Sequence, residues 1–350
     1  MSDEAILQRL RHIGWRGELP PGGRRIARVV AQHRAGYELH DGEAVFGAQP
    51  AGHFLKRALD PAQRPAVGDF VEVEEGRPPH ILNVLPRRSA LSRAAAGERY
   101  ERQLIATNID YVLVLTGLDN DFSPARIERY LSLIEDSGAQ PVVLLSKLDL
   151  HADAQARLSA LRGRLPAHTP VHAVNGKDPA SAQLLARYLQ PGDSAVLVGS
   201  SGAGKSTLTN TLLGDERMAT GAVRAHDSRG RHTTTHRALL MLPSGGCLID
   251  TPGMRELKLT GEENLDLFAD IEALAETCRF ADCGHGSEPG CAVQSALDSG
   301  ELAGERWRNF LKLRDEREEQ AATLEARLRR QRGGRPAERP HGNRGRRERE

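Results

Sequence analysis

The stretch from Gly199 to Thr207, with the sequence GSSGAGKST, constrains this chain more than any other feature. It matches G-x-x-x-x-G-K-[ST], follows an apolar β-rich run at 194–198 and precedes apolar residues spaced for a helix at 208–213. Such a loop wraps a β-phosphate with backbone N–H groups, which predicts nucleotide contacts along the whole stretch. A glycine-rich turn that fits by chance is the alternative, and the flanking patterns disfavour it.

Two side chains of this phosphate loop have expected roles of their own. Lys205 would neutralise the β and γ oxygens, which makes it a catalytic as well as a binding residue. Ser206 would place its hydroxyl on Mg²⁺. The predicted nucleotide-binding residues of the loop are Gly199, Ser200, Ser201, Gly202, Ala203, Gly204, Lys205, Ser206 and Thr207.

A second motif, S-K-L-D at 146–149, follows the β-rich run at 141–145 and resembles the N-K-x-D element that reads guanine. Asp149 could accept from both N1–H and the exocyclic amine of guanine, which adenine cannot offer. Ser146 stands where Asn is usual. Alone, the motif is more often a helix N-cap than a ligand. The predicted guanine-reading residues are Ser146, Lys147, Leu148 and Asp149.

A third motif, D-T-P-G at 250–253, follows an apolar run and has the D-x-x-G form of a second GTPase switch. Asp250 would hold Mg²⁺ through water, and the Gly253 N–H would meet the γ-phosphate. A plain Pro-Gly turn would be the better interpretation if the motif stood alone. The two motifs described above favour the switch.

The polar segment at 229–237 would supply the first switch. Thr233 or Thr234 would complete the Mg²⁺ shell; which of the two is open, and Thr234 is the working assignment. Because Met254 occupies the place where many GTPases carry a water-orienting Gln, His232 and His236 are predicted as catalytic residues that position the attacking water. The alternative is that both histidines contact RNA or solvent.

The order of these motifs is unusual, since the base reader precedes the phosphate loop. This order predicts a circularly permuted GTPase domain, which is tolerable because the ends of a compact domain lie close together. The join would be a helix at 180–191. The segment 171–176 stands where a base-supporting loop is expected, with Asn175 as its candidate residue.

Three of the four cysteines cluster with a histidine as Cys278-x₄-Cys283-x-His285-x₅-Cys291. A Cys₃His set closes a tetrahedron around one Zn²⁺ with no open position, which indicates a structural site. A disulfide with spare thiols is the alternative. It is disfavoured because the acidic start of the chain precedes no apolar segment typical of a signal peptide. Cys247, on an apolar strand, is expected to be an inert core residue.

Together, the motif order, the stretch QLIATNID at 103–110 and the cysteine cluster resemble the bacterial ribosome small-subunit-dependent GTPase A family. The resemblance covers roughly residues 23 to 320. It implies an α/β multidomain protein with an N-terminal OB-fold β-barrel, a permuted P-loop GTPase domain and a C-terminal helical zinc-binding domain. It also implies GTP hydrolysis stimulated by the small ribosomal subunit and its rRNA during late maturation, with nucleotide state controlling binding and release.

Composition is compatible with this interpretation. The chain has 350 residues and a net charge of +1, and no apolar run approaches the ~18 residues of a membrane helix. We expect a cytoplasmic monomer with no membrane partner. Basic character is local: it lies in an Arg-rich C-terminal tail and in arginines of the barrel and the linker after it, at 24, 25, 28, 34, 87, 88 and 93. Solvated surface charge is the alternative.

The predicted domain boundaries follow from these segments. We expect a flexible extension at 1–22, an OB-fold RNA-binding domain at 23–90, a GTPase domain at 98–257, a zinc-binding domain at 258–325 and a disordered Arg-rich tail at 326–350. A charged helix is predicted at 301–328.

Two other functions remain open at this stage. One is a metal-handling GTPase in which the Cys₃His cluster delivers zinc instead of supporting a fold. The other is a nucleotide-gated RNA-binding protein with negligible turnover, which the Met at position 254 suggests.

Overall fold

The computed structural model describes residues 2–33, 35–56, 59–94, 102–119, 122–147, 153–214, 237–251, 260 and 263–333. Its first element is helix α1 (Asp3–His12), which Ser2 caps by accepting from the Ala5 N–H. Leu10 and Ile13 are buried and share an apolar cluster with Ile26 and Phe70 of the following barrel. The prediction of a flexible extension at 1–22 is therefore wrong, because one face of this segment is apolar and docks.

A five-stranded barrel follows. Its strands pair in the order β1-β2-β3-β5-β4, and β4 pairs back onto β1 to close the barrel. Closure leaves no unpaired edge and gives the OB-fold arrangement expected from the sequence. Its strands are β1 (Arg25–His33), β2 (Gly36–His40), β3 (Val45–Pro50), β4 (Phe70–Glu74) and β5 (His80–Val84).

Strand β1 is buried on both faces. Ala27 and Val29 belong to the barrel core, whereas Ile26 packs with α1 and Val30 belongs to the core of the next domain. Ala31 also pairs with Ala238 of a strand described below, which joins the barrel to the second sheet. This one strand therefore connects the two domains.

A separate hairpin, β6 (Ala90–Ala94) and β7 (Arg102–Thr107), links the barrel to the large sheet. The large sheet has strand order β10-β9-β8-β11-β13-β12, and all its pairs are parallel except β12 with β13. Its strands are β8 (Tyr111–Gly117), β9 (Gln140–Ser146), β10 (Val171–Ala173), β11 (Ser194–Gly199), β12 (Ala238–Met241) and β13 (Cys247–Asp250).

Helices cover both faces of this sheet, as its parallel strands require. Alternate residues of β8, β9 and β11 enter two different apolar clusters, one on each face. The helices are α2 (Pro124–Glu135), α3 (Ala154–Arg162), α4 (Pro179–Leu185) and α5 (Lys205–Leu213). The predicted join at 180–191 contains α4 and a 3₁₀ turn at Ala186–Tyr188, with Leu185 and Leu189 buried.

The C-terminal elements pack onto the same core as the large sheet. They are α6 (Ala269–Glu276), α7 (Ala292–Ser299) and α8 (Gly304–Gly333). Phe268, Val293 and Phe310 belong to the apolar cluster that contains Val114 and Val198 of the sheet. Helix α8 continues to Gly333, so the predicted disordered tail at 326–350 is wrong for its first residues. The helix-breaking glycines and prolines only begin at Gly333.

A buried carboxylate fixes α8 to the large sheet. Glu128 of α2 is fully buried and accepts from Asn309 of α8 at 2.6 Å and from Arg164 at 3.0 Å. Arg306 of α8 lies 3.7 Å from the same carboxylate. Burial raises the pKa of Glu128, and the neighbouring arginines oppose that shift. The carboxylate has cationic and amide partners on both sides of the contact, which offset its desolvation.

Arg28 of β1 is the corresponding buried group on the barrel side, and it is fully inaccessible. Its guanidinium donates to Ile13 O at 2.5 Å, to Gly68 O at 3.2 Å, to Asn108 O at 3.0 Å and to Ser194 Oγ at 2.7 Å. These acceptors lie after α1, in the barrel, after β7 and at the start of β11. Burial lowers the pKa of Arg28, and the acceptors replace the water that it loses.

Two of the arginines predicted to face RNA are therefore committed elsewhere. Arg28 is buried, and Arg87 donates to both carboxylate oxygens of Asp69 at 2.7 Å. Arg24 remains half exposed beside Glu72. No helix in the described ranges combines the length and the apolarity that crossing a membrane requires.

Replacing Arg28 with Met should strongly destabilise the protein, because four acceptors lose a buried donor. We expect a loss of about 3 kcal/mol in the free energy of unfolding. Urea denaturation followed by circular dichroism would measure it. The control is Arg24→Met, which removes a half-exposed ion pair and should change stability by less than about 1 kcal/mol. Equal shifts for the two variants would contradict the role of Arg28.

Candidate nucleotide and metal sites

The phosphate loop connects β11, in the middle of the large sheet, to α5. Gly199 has φ +149°, and a Cβ there would lie 2.1 Å from Leu115 O of β8. Gly204 precedes α5 with φ +96°, a conformation that side chains disfavour. Both glycines are therefore required by the backbone path. The loop turns back over the carboxyl end of the sheet and presents the first N–H groups of α5.

The Lys205 side chain curls over its own loop. Its Nζ donates to Gly199 O at 2.8 Å and to Ser200 O at 2.6 Å. Ser201 and Gly202 are exposed at the rim, whereas Ala203 is buried beneath them. An ammonium held at the centre of this loop is placed where it would meet phosphate oxygens.

Asp250 lies at the same end of the sheet as the phosphate loop. It ends β13, which runs parallel to β11, and it pairs in register with Leu197. Burial raises the pKa of Asp250 above its ordinary value. The Lys205 charge and the Thr251 N–H oppose this shift only in part. The buried Thr251 hydroxyl donates to Leu197 O at 2.8 Å and anchors the strand end. A carboxylate and the Ser206 hydroxyl are oxygen donors of the type that Mg²⁺ prefers, so the residues present fit that ion.

The described part of the base reader is tied to the phosphate loop. Ser146 ends β9, and its hydroxyl donates to Ala203 O at 2.6 Å. A second, longer contact joins the same hydroxyl to Thr116 O at 3.4 Å. The serine that stands in place of the usual Asn therefore bonds directly to the loop. Base-reading and phosphate-binding segments form one hydrogen-bonded unit.

Lys147 follows in a left-handed conformation, with φ +60°. Its ammonium forms an ion pair with Asp119, on the loop that follows β8. Sequence reasoning missed Asp119, although a Gly-Leu-Asp sequence directly after a strand parallel to the base-reading strand is a usable signal. The loop after β10 contacts α5, because the Thr211 hydroxyl donates to Gly176 O, and within this loop the Asn175 side chain accepts from the Lys177 N–H at 3.0 Å.

Several predicted site residues lie outside the described residues, and their predictions stand as made. They are Leu148, Asp149, His232, Thr234, His236 and Gly253, together with Thr233 and Met254.

The four residues of the predicted zinc set converge. Cys278 follows α6, Cys283 and His285 lie on the loop after it, and Cys291 caps α7. The Cys278 and Cys291 sulfurs are 4.0 Å apart, and each lies 3.6 Å from His285 Nδ1. All four ligand atoms lie within 4.8 Å of one another. In a tetrahedral zinc site with Zn–S bonds near 2.3 Å, neighbouring ligand atoms lie roughly 3.8 Å apart. The distances between these four side chains therefore fit a zinc ion.

Backbone donors surround these sulfurs. The Ala292 N–H points at the Cys278 sulfur and the Gln294 N–H at the Cys291 sulfur, both at 3.3 Å. Desolvation raises the pKa of Cys278, but backbone N–H donors including Ala292 outweigh it and leave that pKa below its ordinary value. All four cysteines of the chain are free thiols, which disfavours the disulfide alternative.

The neighbouring thiol behaves in the opposite way. The His285 N–H lowers the pKa of Cys283, but desolvation and the adjacent Cys278 and Cys291 sulfurs raise it to about 11. Thiolates that lie close together repel one another. These thiols therefore resist losing their protons together unless a cation binds between them.

Comparison with known proteins agrees with this geometry. A family model described as RsgA GTPase matches residues 84–260. A relative from Xanthomonas axonopodis pv. citri (strain 306) is 55% identical over 305 residues, which cover 86% of this chain and 83% of the relative. The chain belongs to the RsgA GTPase family. This membership confirms the resemblance drawn from the motifs, and it makes the chain a GTP hydrolase, as predicted.

The relatives carry a name that specifies their role. The Xanthomonas axonopodis protein, and a 54% identical one from Xanthomonas euvesicatoria pv. vesicatoria (strain 85-10), are each named "Small ribosomal subunit biogenesis GTPase RsgA".

Solved structures confirm the predicted fold class. YjeQ from Thermotoga maritima is 27% identical and has a TM-score of 0.59, covering 83% of this chain and 97% of its own. YloQ, described as a circularly permuted GTPase, has a TM-score of 0.56 at 23% identity and covers 86% of this chain and 98% of its own. The fold of this chain is thus similar to that of a circularly permuted GTPase, as the motif order predicts.

Removing the Ser146 hydroxyl should weaken nucleotide binding, because the buried Ala203 carbonyl would lose its partner. We expect Ser146→Ala to raise the Kd for GDP about fivefold. Ser146→Asn keeps a side-chain donor and should stay closer to the unmodified protein. Ser132→Ala, which removes another buried serine hydroxyl in α2, is the matched control. Fluorescence titration measures all three, and an unchanged Kd for Ser146→Ala would contradict the link.

Proposed function

We propose that this GTPase binds the small ribosomal subunit and its rRNA and acts in late maturation of that subunit, with the bound nucleotide controlling binding and release. The observation that carries this proposal is the 55% identity to a small ribosomal subunit biogenesis GTPase along 86% of the chain. The proposed role places the protein in the cytoplasm, where it would act as a monomer.

The nucleotide site would work mainly by charge placement. GTP would sit with its phosphates in the loop 199–207, where Lys205 exchanges its carbonyl partners for β and γ oxygens. Mg²⁺ would be held by Ser206 and Thr234, with Asp250 bonded through water, and it supplies charge neutralisation at the same oxygens. The Gly253 N–H would bind the γ-phosphate, and Asp149 would select guanine.

A water must still be positioned for attack on the γ-phosphate. Met254 has no group that can orient it, so we assign this role to His232 or His236. An imidazole placed there by the bound subunit would make turnover depend on the subunit.

The flanking modules would provide the RNA contacts. On the barrel, Arg24 is half exposed beside Glu72, and the C-terminal end of α8 is rich in arginine. We retain barrel, GTPase and zinc modules as functional divisions, with α1 now part of the barrel module and α8 extending the third.

The chain leads from the second switch into the C-terminal module within a few residues, so movement of the switch could reach that module directly. Thr260 follows that switch, and its hydroxyl donates to the buried Glu263 at 2.7 Å. Next along the chain, the Asn264 N–H donates to Asp136 at the end of α2. A rearrangement of the switch would therefore act directly on this anchor, just before α6.

Small ribosomal subunits should raise GTP turnover, and large subunits should not. ATP should be hydrolysed much more slowly than GTP.

Lys205→Ala should lower stimulated turnover at least about 100-fold without unfolding the protein. The control is Lys312→Ala, an exposed lysine of α8. Phosphate release measures each rate. Equal stimulation by both subunits would refute the proposed partner.

The same assay tests the two histidines. His232→Ala and His236→Ala should separate a catalytic role from an RNA contact, because only loss of the contact weakens subunit binding. Full stimulated turnover in both variants would exclude both histidines as water-orienting residues.

Zinc should be present at about one ion per chain, held by Cys278, Cys283, His285 and Cys291. Replacing Cys283 and Cys291 with Ser should abolish it and unfold the C-terminal module, since metal binding and folding are linked. Elemental analysis and limited proteolysis measure the two effects. Cys247→Ser is the control that leaves the metal in place. Metal-free protein purified without chelator, or a C-terminal module that stays folded after chelation, would contradict a structural ion.

A further inference from the structure

We propose that Asp119 is a positioning residue for guanine-nucleotide binding, which acts by holding the Lys147 ammonium beside the base-reading loop. The inference rests on the proposed function, because it takes residues 146–149 as the guanine reader.

The ion pair between Asp119 and Lys147 joins two loops that end neighbouring parallel strands. Asp119 follows β8 and Lys147 follows β9, and the strands pair up to Gly117 opposite Ser146. The two side chains are 32% and 28% exposed, so water screens the pair only in part. A carboxylate in this place fixes the direction of the lysine side chain.

The neighbouring backbone is shaped around this pair. A Cβ at Gly117 would lie 2.7 Å from Asp119 Oδ1 and 3.4 Å from Lys147 Nζ. A side chain at position 117 would crowd this carboxylate, which would then have to shift. The missing side chain of Gly117 therefore provides the space in which the two charges meet.

The conformation of Lys147 needs such support. Its φ of +60° is unfavourable for a residue with a side chain and persists only where the surroundings enforce it. The Leu118 N–H donates to Ser146 O at 3.0 Å, and Arg157 of α3 donates to Leu118 O at 2.6 Å. Together with the ion pair, these bonds hold the start of the base-reading loop from the side of β8.

The consequence for binding follows from the chemistry of lysine. The Asp119 carboxylate holds the ammonium at one end of the side chain, and the methylene stem would then pack along the flat face of a base. A stem that is ordered before binding loses less entropy when the base arrives. Asp119 should thus strengthen the binding of GDP and GTP equally and leave the chemical step unchanged.

A double-mutant cycle distinguishes positioning through Lys147 from an independent structural role. Asp119→Asn and Lys147→Met should each raise the Kd for GDP about fivefold, because each removes the same ion pair. The double variant should bind no more weakly than Lys147→Met alone. Asp119→Glu keeps a carboxylate and should bind within about twofold of the unmodified protein.

Equilibrium titration with fluorescent GDP and with a slowly hydrolysed GTP analogue gives the affinities, and single-turnover measurement at saturating GTP gives the chemical rate. That rate should stay within about twofold in Asp119→Asn. Glu43→Gln, which removes an exposed ion-paired carboxylate in the barrel, is the control for a general charge effect. Thermal melting checks that each variant is folded.

An unchanged Kd for Asp119→Asn would overturn the inference, and so would additive losses in the double variant. A slower chemical step at unchanged affinity would also overturn it. Failure of the proposed function has a different signature, because the unmodified protein would then bind ATP as well as GTP. The two failures therefore cannot be confused.

Discussion

The arrangement of this protein depends on one buried cation. Arg28 lies on the strand that serves two cores, and its guanidinium bonds to acceptors from α1, the barrel, the loop after the β6–β7 hairpin and the first residue of β11. A buried guanidinium without these partners would carry a large desolvation penalty, so any separation of barrel and sheet exposes a charge or strands its acceptors. The pairing of Ala31 with Ala238 continues the barrel into the large sheet at the same place. The barrel is thereby held in a fixed orientation beside the strand that leads into the phosphate loop.

A buried charge of the opposite sign lies where α8 packs against α2. Glu128 is a buried anion whose partners come from α8 and from the loop after α3. The apolar cluster around it includes residues of both the sheet and the C-terminal helices, so no hydrophobic boundary separates these two regions. The barrel, the GTPase domain and the C-terminal helices look like independent modules in the sequence. The interfaces between them nevertheless contain buried apolar and charged side chains, as the core of a single domain does. The strand that leads into the phosphate loop and the C-terminal helices thus contribute to one apolar core.

At the nucleotide site, hydrogen bonds connect the elements that recognise different parts of the ligand. Ser146 at the end of β9 donates to the phosphate loop, and Lys147 pairs with Asp119 on the loop after β8, the strand that lies between β9 and β11. Such cross-links convert separate sequence motifs into one preorganised surface. The shorter serine, where longer Asn is usual, is sufficient because its strand end lies within hydrogen-bond distance of the Ala203 carbonyl.

The sequence by itself determined the chemistry of the sites and the class of the fold. A phosphate loop, a switch and a metal cluster are each encoded within a few consecutive residues, because the backbone or a short loop supplies their geometry. Strand order, register and the closure of the barrel pair residues that are distant in the chain, so the tertiary structure sets them. The tertiary structure alone decided that helix α1 (Asp3–His12) packs on the barrel, that Arg28 is buried and Arg87 pairs with Asp69, and that Asp119 pairs with Lys147. These outcomes pair residues far apart in the chain, and a charged side chain has the same appearance in sequence whether its partner is water, RNA or a buried acceptor.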